Sequence, residues 1–210
     1  MLKLRIFSPA MVYANCYIVK DEESGEAFVI DPGAYNKRLE AALKEEGITS
    51  LRYILLTHGH FDHISGVGDL KVNFGGDIVI HKADEACLYN RDESLAAKFC
   101  FSQNEVEKAD VILADGEELD FGGHKIKVMH TPGHTKGSVC YILENMIFSG
   151  DTLFRDTIGR TDFPGGSFEE MKESLKKLAA LENDYEVYPG HDVSTTLERE
   201  KRYNPCMKGI

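Results

Sequence analysis

Thr57-His58-Gly59-His60-Phe61-Asp62-His63 follows directly on the short apolar run from Arg52 to Leu56. A run of that length, bounded by turn residues, predicts a buried strand. Side chains on an extended chain repeat every two residues, so His58 and His60 point the same way as the strand ends. They can then hold one ion, while Asp62 and His63 lie past the bend and can reach a second. Imidazole and carboxylate donors without a thiolate suit zinc, iron or manganese. A plain polar loop is the alternative. Against it, three histidines and an aspartate packed this closely form a costly titratable cluster unless a metal offsets them.

Three further strand ends carry donors of the same kind. Thr131-Pro132-Gly133-His134 closes one apolar stretch, Gly150-Asp151-Thr152 follows Met146-Ile147-Phe148, and Tyr188-Pro189-Gly190-His191 closes another. Taken singly, each histidine reads as a solvated turn residue and Asp151 as a cap or turn former. Together with the first stretch they complete a dinuclear set. His58, His60 and His134 fall to one metal, Asp62, His63 and His191 to the other, and Asp151 bridges. The repeated Pro-Gly-His hints at two similar halves, each presenting a histidine at a strand end.

The rest of the chain supports a mixed α/β organisation in a single domain spanning 1–210. Strands are expected at 2–7, 12–19, 26–31, 52–56, 77–81, 111–114, 117–121, 124–130, 138–143, 146–149 and 186–188, with a turn at Ser8-Pro9. Helices are expected over 36–46, with Gly47 as the stop, then weakly from the histidine stretch to Leu70, twice within 83–101, from Ser167 to Ala180, and over 195–203. A glycine-rich loop is expected over 155–166.

Composition bounds the function. The chain has 210 residues, 42% hydrophobic and 28% charged, which is ordinary globular usage. A chain of this mass hides about 70% of its unfolded surface, enough for a core without disulfide or metal staples. The net charge of −11 repels phosphate backbones, so nucleic acid is not an expected partner, and it disfavours phosphodiester hydrolysis. No apolar run approaches the ~20 residues of a membrane helix, so no membrane partner is expected. The N-terminus lacks a signal peptide's apolar stretch, which disfavours an exported β-lactam hydrolase. Five scattered cysteines without a CxxC pattern predict reduced thiols in a cytoplasmic protein.

The ordered motifs THGHFDH, TPGHTKGSV, FSGDTLF and YPGH, with an N-terminal NCYIV…AFVIDPG, resemble the metallo-β-lactamase-fold hydrolases over residues 12 to 195. Gly150-Asp151-Thr152-Leu153-Phe154 and Ile158-Gly159-Arg160 look most like glyoxalase II (hydroxyacylglutathione hydrolase) of the short type. The resemblance implies an αβ/βα four-layer sandwich, two mixed β-sheets flanked by helices, with metals at the strand ends. It implies two divalent ions, zinc first and iron or manganese as alternatives, and a small-molecule thioester such as S-D-lactoylglutathione. Hydrolysis would proceed by attack of a metal-bridging hydroxide oriented by Asp62 or Asp151. Arg160 matches the family's basic residue and is expected to meet a substrate carboxylate, in preference to Lys136. Asp162 and Val193 stand where that family carries tyrosines, and the chain ends before its C-terminal helical domain. Weak hold on the glutathione part is therefore expected. Gly159-Arg160-Thr161-Asp162-Phe163 also resembles the persulfide dioxygenases, which would place a single iron on His58, His134 and Asp151; that is the alternative activity. A metal-binding regulatory domain is a third reading, which the full ligand set disfavours.

Four residues have supporting or structural expectations. Asp31 could orient a metal-bound imidazole through its other nitrogen. His81 is expected in a pocket wall or the core, His124 at the surface, and His130 behind the ligands.

Overall fold

Alternating apolar side chains build the layers. In the computed structural model, which describes residues 1–8, 14–103, 106–208 and 210, the first sheet takes six strands in sequence order. These are β1 (Leu2–Phe7), β2 (Cys16–Asp21), β3 (Ala27–Ile30), β4 (Tyr53–Leu55), β5 (Asp77–His81) and β6 (Val111–Leu113). The first three run antiparallel and β3 to β6 run parallel. The second sheet holds β7 (Glu118–Phe121), β8 (His124–His130), β9 (Val139–Leu143), β10 (Met146–Gly150), β13 (Glu186–Pro189) and β14 (Thr195–Thr196). Here β10 and β13 are parallel and the other neighbours antiparallel. A small hairpin of β11 (Leu153–Phe154) and β12 (Thr157–Ile158) stands apart.

The two sheets face each other. Tyr17, Val19, Phe28 and Ile30 from the first meet Phe121, Val128, Tyr141 and Phe148 from the second. The alternate residues Ile18, Val29 and Ile54 turn outward onto α1 (Lys37–Glu45), α2 (Phe61–Ile64) and α3 (Val67–Phe74). On the other side Cys140, Ile147 and Val187 pack against α4 (Phe168–Ala179) and α5 (Leu197–Tyr203). A strand buried on both faces is apolar wherever its side chains find no polar partner, as in β3, β4 and β9; in β10 the buried Ser149 hydroxyl donates to the Leu153 carbonyl. The result is the expected four-layer αβ/βα sandwich of the metallo-β-lactamase type. No helix among the described residues is long and apolar enough to cross a membrane.

Helix ends follow local chemistry. Asn36 caps α1 by accepting from the N–H groups of Arg38 and Leu39, and Ser167 caps α4 by accepting from Glu170. Leu39, Ala42 and Leu43 form the buried face of α1.

Several expectations need correction. The second strand begins at Cys16 and extends to Asp21; Pro9, Val12 and Tyr13 lie outside the described residues. The helix after the histidine stretch is broken in two and runs on to Phe74. The break falls at Ser65-Gly66, where Gly66 donates its N–H to Pro32 and lies against the 32–35 turn. Over 83–101 the two expected helices are replaced by a 3₁₀ turn at Glu85–Leu88 and a series of turns. Leu95 and Cys100 there sit in the left-handed region, at φ 65° and 58°, which interrupts a right-handed helix. The 155–166 loop includes β12, and β14 precedes the last helix. Both Pro-Gly-His motifs end strands of the second sheet, so they do not mark one half each.

A Cβ added to Gly66 would lie 2.6 Å from the backbone of Pro32, Ala34 and Tyr35, which cannot move aside as a side chain can. We expect Gly66→Ala to destabilise the fold by about 2 kcal/mol. Urea unfolding checks this, and an unchanged midpoint would refute it.

Candidate metal centre

Strand register brings the donors to one end of the sandwich. Ile30 pairs with Leu55, which sets Asp31 beside Thr57 just past both strands. In the second sheet Gly150 pairs with Pro189, which sets Asp151 next to Gly190 and His191. The sheets are joined at this same end, where Val139 donates its N–H to the Thr57 carbonyl, 2.8 Å away.

Hydrogen-bond partners fix where the histidine protons sit. Thr57 donates its hydroxyl to Asp31 at 2.6 Å, so its oxygen accepts from His58 Nδ1 at 3.2 Å. His134 Nδ1 lies 2.7 Å from the Arg160 carbonyl, which can only accept. The Nε2 atoms of His58 and His134 are therefore bare, and they lie 3.1 and 2.9 Å from His60 Nδ1. A proton on His60 could satisfy only one of them. Burial first, then the neighbouring imidazoles, pushes His58 well below its usual pKa and His60 to about 3, so both stay neutral. Three nitrogens around one point suit a tetrahedral ion with metal–nitrogen bonds of about 2.0–2.1 Å.

A second group lies alongside. His63 Nδ1 donates to Asp31 Oδ2 at 2.9 Å, which turns Nε2 towards Asp151 Oδ1 at 3.5 Å and Asp62 Oδ2 at 3.8 Å. His191 Nε2 is 3.1 Å from Asp62 Oδ2. Asp151 faces both groups, with its Oδ2 3.4 Å from His134 Nε2 and 3.8 Å from His191 Nε2. The donor atoms fall into three overlapping triplets: His58, His60 and His134; His58, His63 and Asp151; Asp62, His63 and His191.

Two observations test whether cations fit here. His63 Nε2 and Asp151 Oδ1 are buried without any hydrogen-bond partner, a condition that costs about 1–3 kcal/mol per group. The field is also right. Burial works against charge on His63, yet the carboxylates of Asp151, Asp62 and Asp31 hold its pKa up at about 10. Burial likewise opposes charge on Asp62, but His63 and His191 bring it down to about 2. A pocket that would retain a proton this strongly attracts a metal cation at the same atoms.

The sequence matches the Metallo-beta-lactamase superfamily profile over residues 11–191. The chain belongs to that superfamily. It is 34% identical over 215 residues to a Haemophilus influenzae protein named hydroxyacylglutathione hydrolase GloC, with 98% of each chain covered. Among solved structures it is similar to BLEG-1 B3 metallo-beta-lactamase, with a TM-score of 0.90, 33% identity and full coverage of both chains. It is also similar to TTHA1623 in a di-iron-bound form, with a TM-score of 0.82 and 33% identity over 97% of this chain and 98% of the other.

The donors that sequence spacing singles out, His58, His60, Asp62, His63, His134, Asp151 and His191, all meet at one place. Asp31 lies behind them. Of the remaining histidines, His81 stacks on His130 with ring centroids 4.1 Å apart, and His124 pairs with Glu144. His130 bonds the Lys136 carbonyl and contacts none of the seven donors, contrary to the expectation that it backs them.

Two features escaped the sequence reading. Asp84, buried at the end of β5, accepts from the N–H groups of Gly59 and Gly137 and from the Thr135 hydroxyl, at 2.9, 2.8 and 2.7 Å. It ties the loop carrying His58 and His60 to the loop carrying His134. Burial raises its pKa against those three bonds. The only available signal was its strand-end position, which it shares with Asp31 and Asp151. The second feature is a cavity of about 440 Å³ over the cluster, with phenylalanines on one wall. Arg160 lines it, but its guanidinium is held by both oxygens of Asp162 at 2.7 and 2.8 Å.

Asp31 fixes His63 and, through Thr57, His58. Replacement Asp31→Asn keeps the shape but removes the charge, and should weaken metal binding about 10–100-fold. Competition with a chromophoric chelator measures this; unchanged affinity would refute the positioning role.

Proposed function

We propose that this chain is a dinuclear metal-dependent hydrolase of thioesters, acting on S-D-lactoylglutathione or a related acyl-thiol. The observation that carries the reading is the pair of adjoining donor groups with Asp151 facing both and its Oδ1 unpartnered. His58, His60 and His134 would hold one ion, and Asp62, His63 and His191 the other, with Asp151 between them. Zinc suits these ligands, and the di-iron form of TTHA1623 supports iron as well. The similarity to GloC supports the thioester class. The five free cysteines support residence in a reducing compartment such as the cytoplasm.

Divalent ions in such a site supply Lewis acidity, polarising a carbonyl and acidifying water. The chain's own residues position the reactants. Asp62 stays ionised at neutral pH and can accept a proton or orient a water through an oxygen. His134 and His58 are locked in one tautomer by Arg160 and Thr57, so their inward nitrogens stay proton-free. A thiolate leaving group, with a pKa near 8.5 for a cysteine-type thiol, departs without an obligatory acid. Cys87, near the His58–His60 loop, is no competing nucleophile: it is buried, with its pKa pushed up by burial and then by Asp84.

A mononuclear iron persulfide dioxygenase is the second reading, resting on the resemblance of Gly159-Arg160-Thr161-Asp162-Phe163 to that family. It would use His58, His134 and Asp151 and leave Asp62, His63 and His191 without a role.

Purified protein loaded with zinc or iron should bind two ions per chain by elemental analysis and hydrolyse S-D-lactoylglutathione. Asp151→Ala should lose one ion and at least 100-fold in kcat/KM, with an unchanged circular dichroism spectrum. Oxygen uptake on glutathione persulfide, with no thioester or chromogenic cephalosporin turned over, would decide for the dioxygenase. Full activity of Asp151→Ala with two ions retained would refute the bridging role.

A further inference from the structure

The cavity over the cluster has two chemically different walls. One is the donor set. The other is carbon, made by Phe61, Leu95, Phe99, Phe101 and Phe163. These rings form one connected array. Phe61 and Phe101 stack with centroids 4.6 Å apart, while Phe99 sits 5.8 Å from both Phe61 and Phe163. Phe163 meets the His60 ring edge-on at 6.0 Å, so the carbon wall runs directly up to the donors. Phe99 remains 43% exposed, so part of this wall is open to an incoming group.

The guanidinium on this wall is already paired, and a second cation, Lys98 Nζ, lies over the Phe163 ring at 4.7 Å. Arg160 lies flat over Phe163 at 3.7 Å while Asp162 holds its guanidinium. A substrate carboxylate would have to displace an intramolecular one from that fork. The cavity is also of the size that takes a small apolar group, within the roughly 300–1,000 Å³ of ligand sites.

We infer that the phenylalanine wall receives an apolar arm, aryl or branched alkyl, on one side of the scissile carbonyl, and that the enzyme selects thioesters by this arm rather than by the charged ends of glutathione. This inference rests on the thioesterase reading above and specifies its substrate class.

Two matched series with the metal-loaded full chain test it. In the acyl series, acetyl and phenylacetyl are compared on N-acetylcysteamine. In the thiol series, N-acetylcysteamine and benzyl mercaptan are compared as acetyl esters. Rates are corrected for each ester's alkaline hydrolysis. In one series kcat/KM should rise at least tenfold with the aryl group, chiefly through KM, since filling an apolar pocket is worth about 10–200-fold per group. S-D-lactoylglutathione should fall below the aryl ester. The double substitution Phe99→Ala and Phe163→Ala should shrink the aryl gain below threefold. Flat kinetics in both series, or a gain that survives the double substitution, would overturn the inference while leaving the hydrolase reading intact. If no thioester is turned over, the hydrolase reading fails, and calorimetric titration with benzyl and methyl thioethers of N-acetylcysteamine reads the wall by itself. Binding of the benzyl compound at least tenfold tighter supports the apolar site, and equal binding overturns it.

Discussion

The carboxylate of Asp31 sits where β3 leaves the first sheet, 1% exposed and at φ 48°. It accepts three hydrogen bonds, from the Thr57 N–H, the Thr57 hydroxyl and His63 Nδ1. A buried carboxylate needs such compensation. In gaining it, Asp31 decides the orientation of the two imidazoles that lie at the heart of both donor groups. His58 takes its tautomer from the Thr57 oxygen, and His63 takes its own from Asp31 directly. Every other donor then closes around atoms that this one side chain has already aimed. The backbone participates as well, because the Thr57 carbonyl is where the second sheet attaches through Val139.

Much of this was readable in the linear chain for a simple reason. Donors at strand ends obey the period of the strand, and apolar runs before Thr57, His134, Asp151 and His191 announce where each strand stops. Four layers follow from the same alternation, since Tyr17 and Ile18, or Phe28 and Val29, must face different neighbours. What the chain concealed depends on contacts between distant segments. Asp84 has no spacing relative to any donor; its role exists only because the loops at 59 and 137 converge on it. The 83–101 stretch has helix-forming composition, yet left-handed Leu95 and Cys100 and the side-chain bonds of Asn90 and Ser94 win locally. Arg160 reads from sequence as the partner of a substrate carboxylate, and its capture by Asp162, two residues on, shows only in three dimensions.

The helices contribute less to the chemistry than the loops do, but one of them shapes it. Gly133, at φ 138°, lets the loop before His134 lie against the backbone of α4, where a Cβ would come within 2.5 Å of Met171. Ser167, the cap of that helix, donates its N–H to the Gly133 carbonyl. The position of His134 is thus inherited from the packing of an outer layer, and the same loop carries the carbonyl-bonded nitrogen that keeps its inward atom bare.

The donors come from both sheets, with the first at residue 58 and the last at residue 191. No contiguous part of the chain holds a complete donor triplet: the nearest partner of His58 and His60 is His134, and that of Asp62 and His63 is Asp151 or His191. During synthesis, the first sheet is finished long before the strand that delivers His191 leaves the ribosome. Contacts this distant in sequence form slowly, because loop-closure entropy must be met before they contribute. Metal capture by the proposed donor set would consequently be a late event, following docking of the sheets. Ions held by the proposed donor set would act as a clasp between the early and late halves of the polypeptide, opposing their separation in proportion to metal affinity.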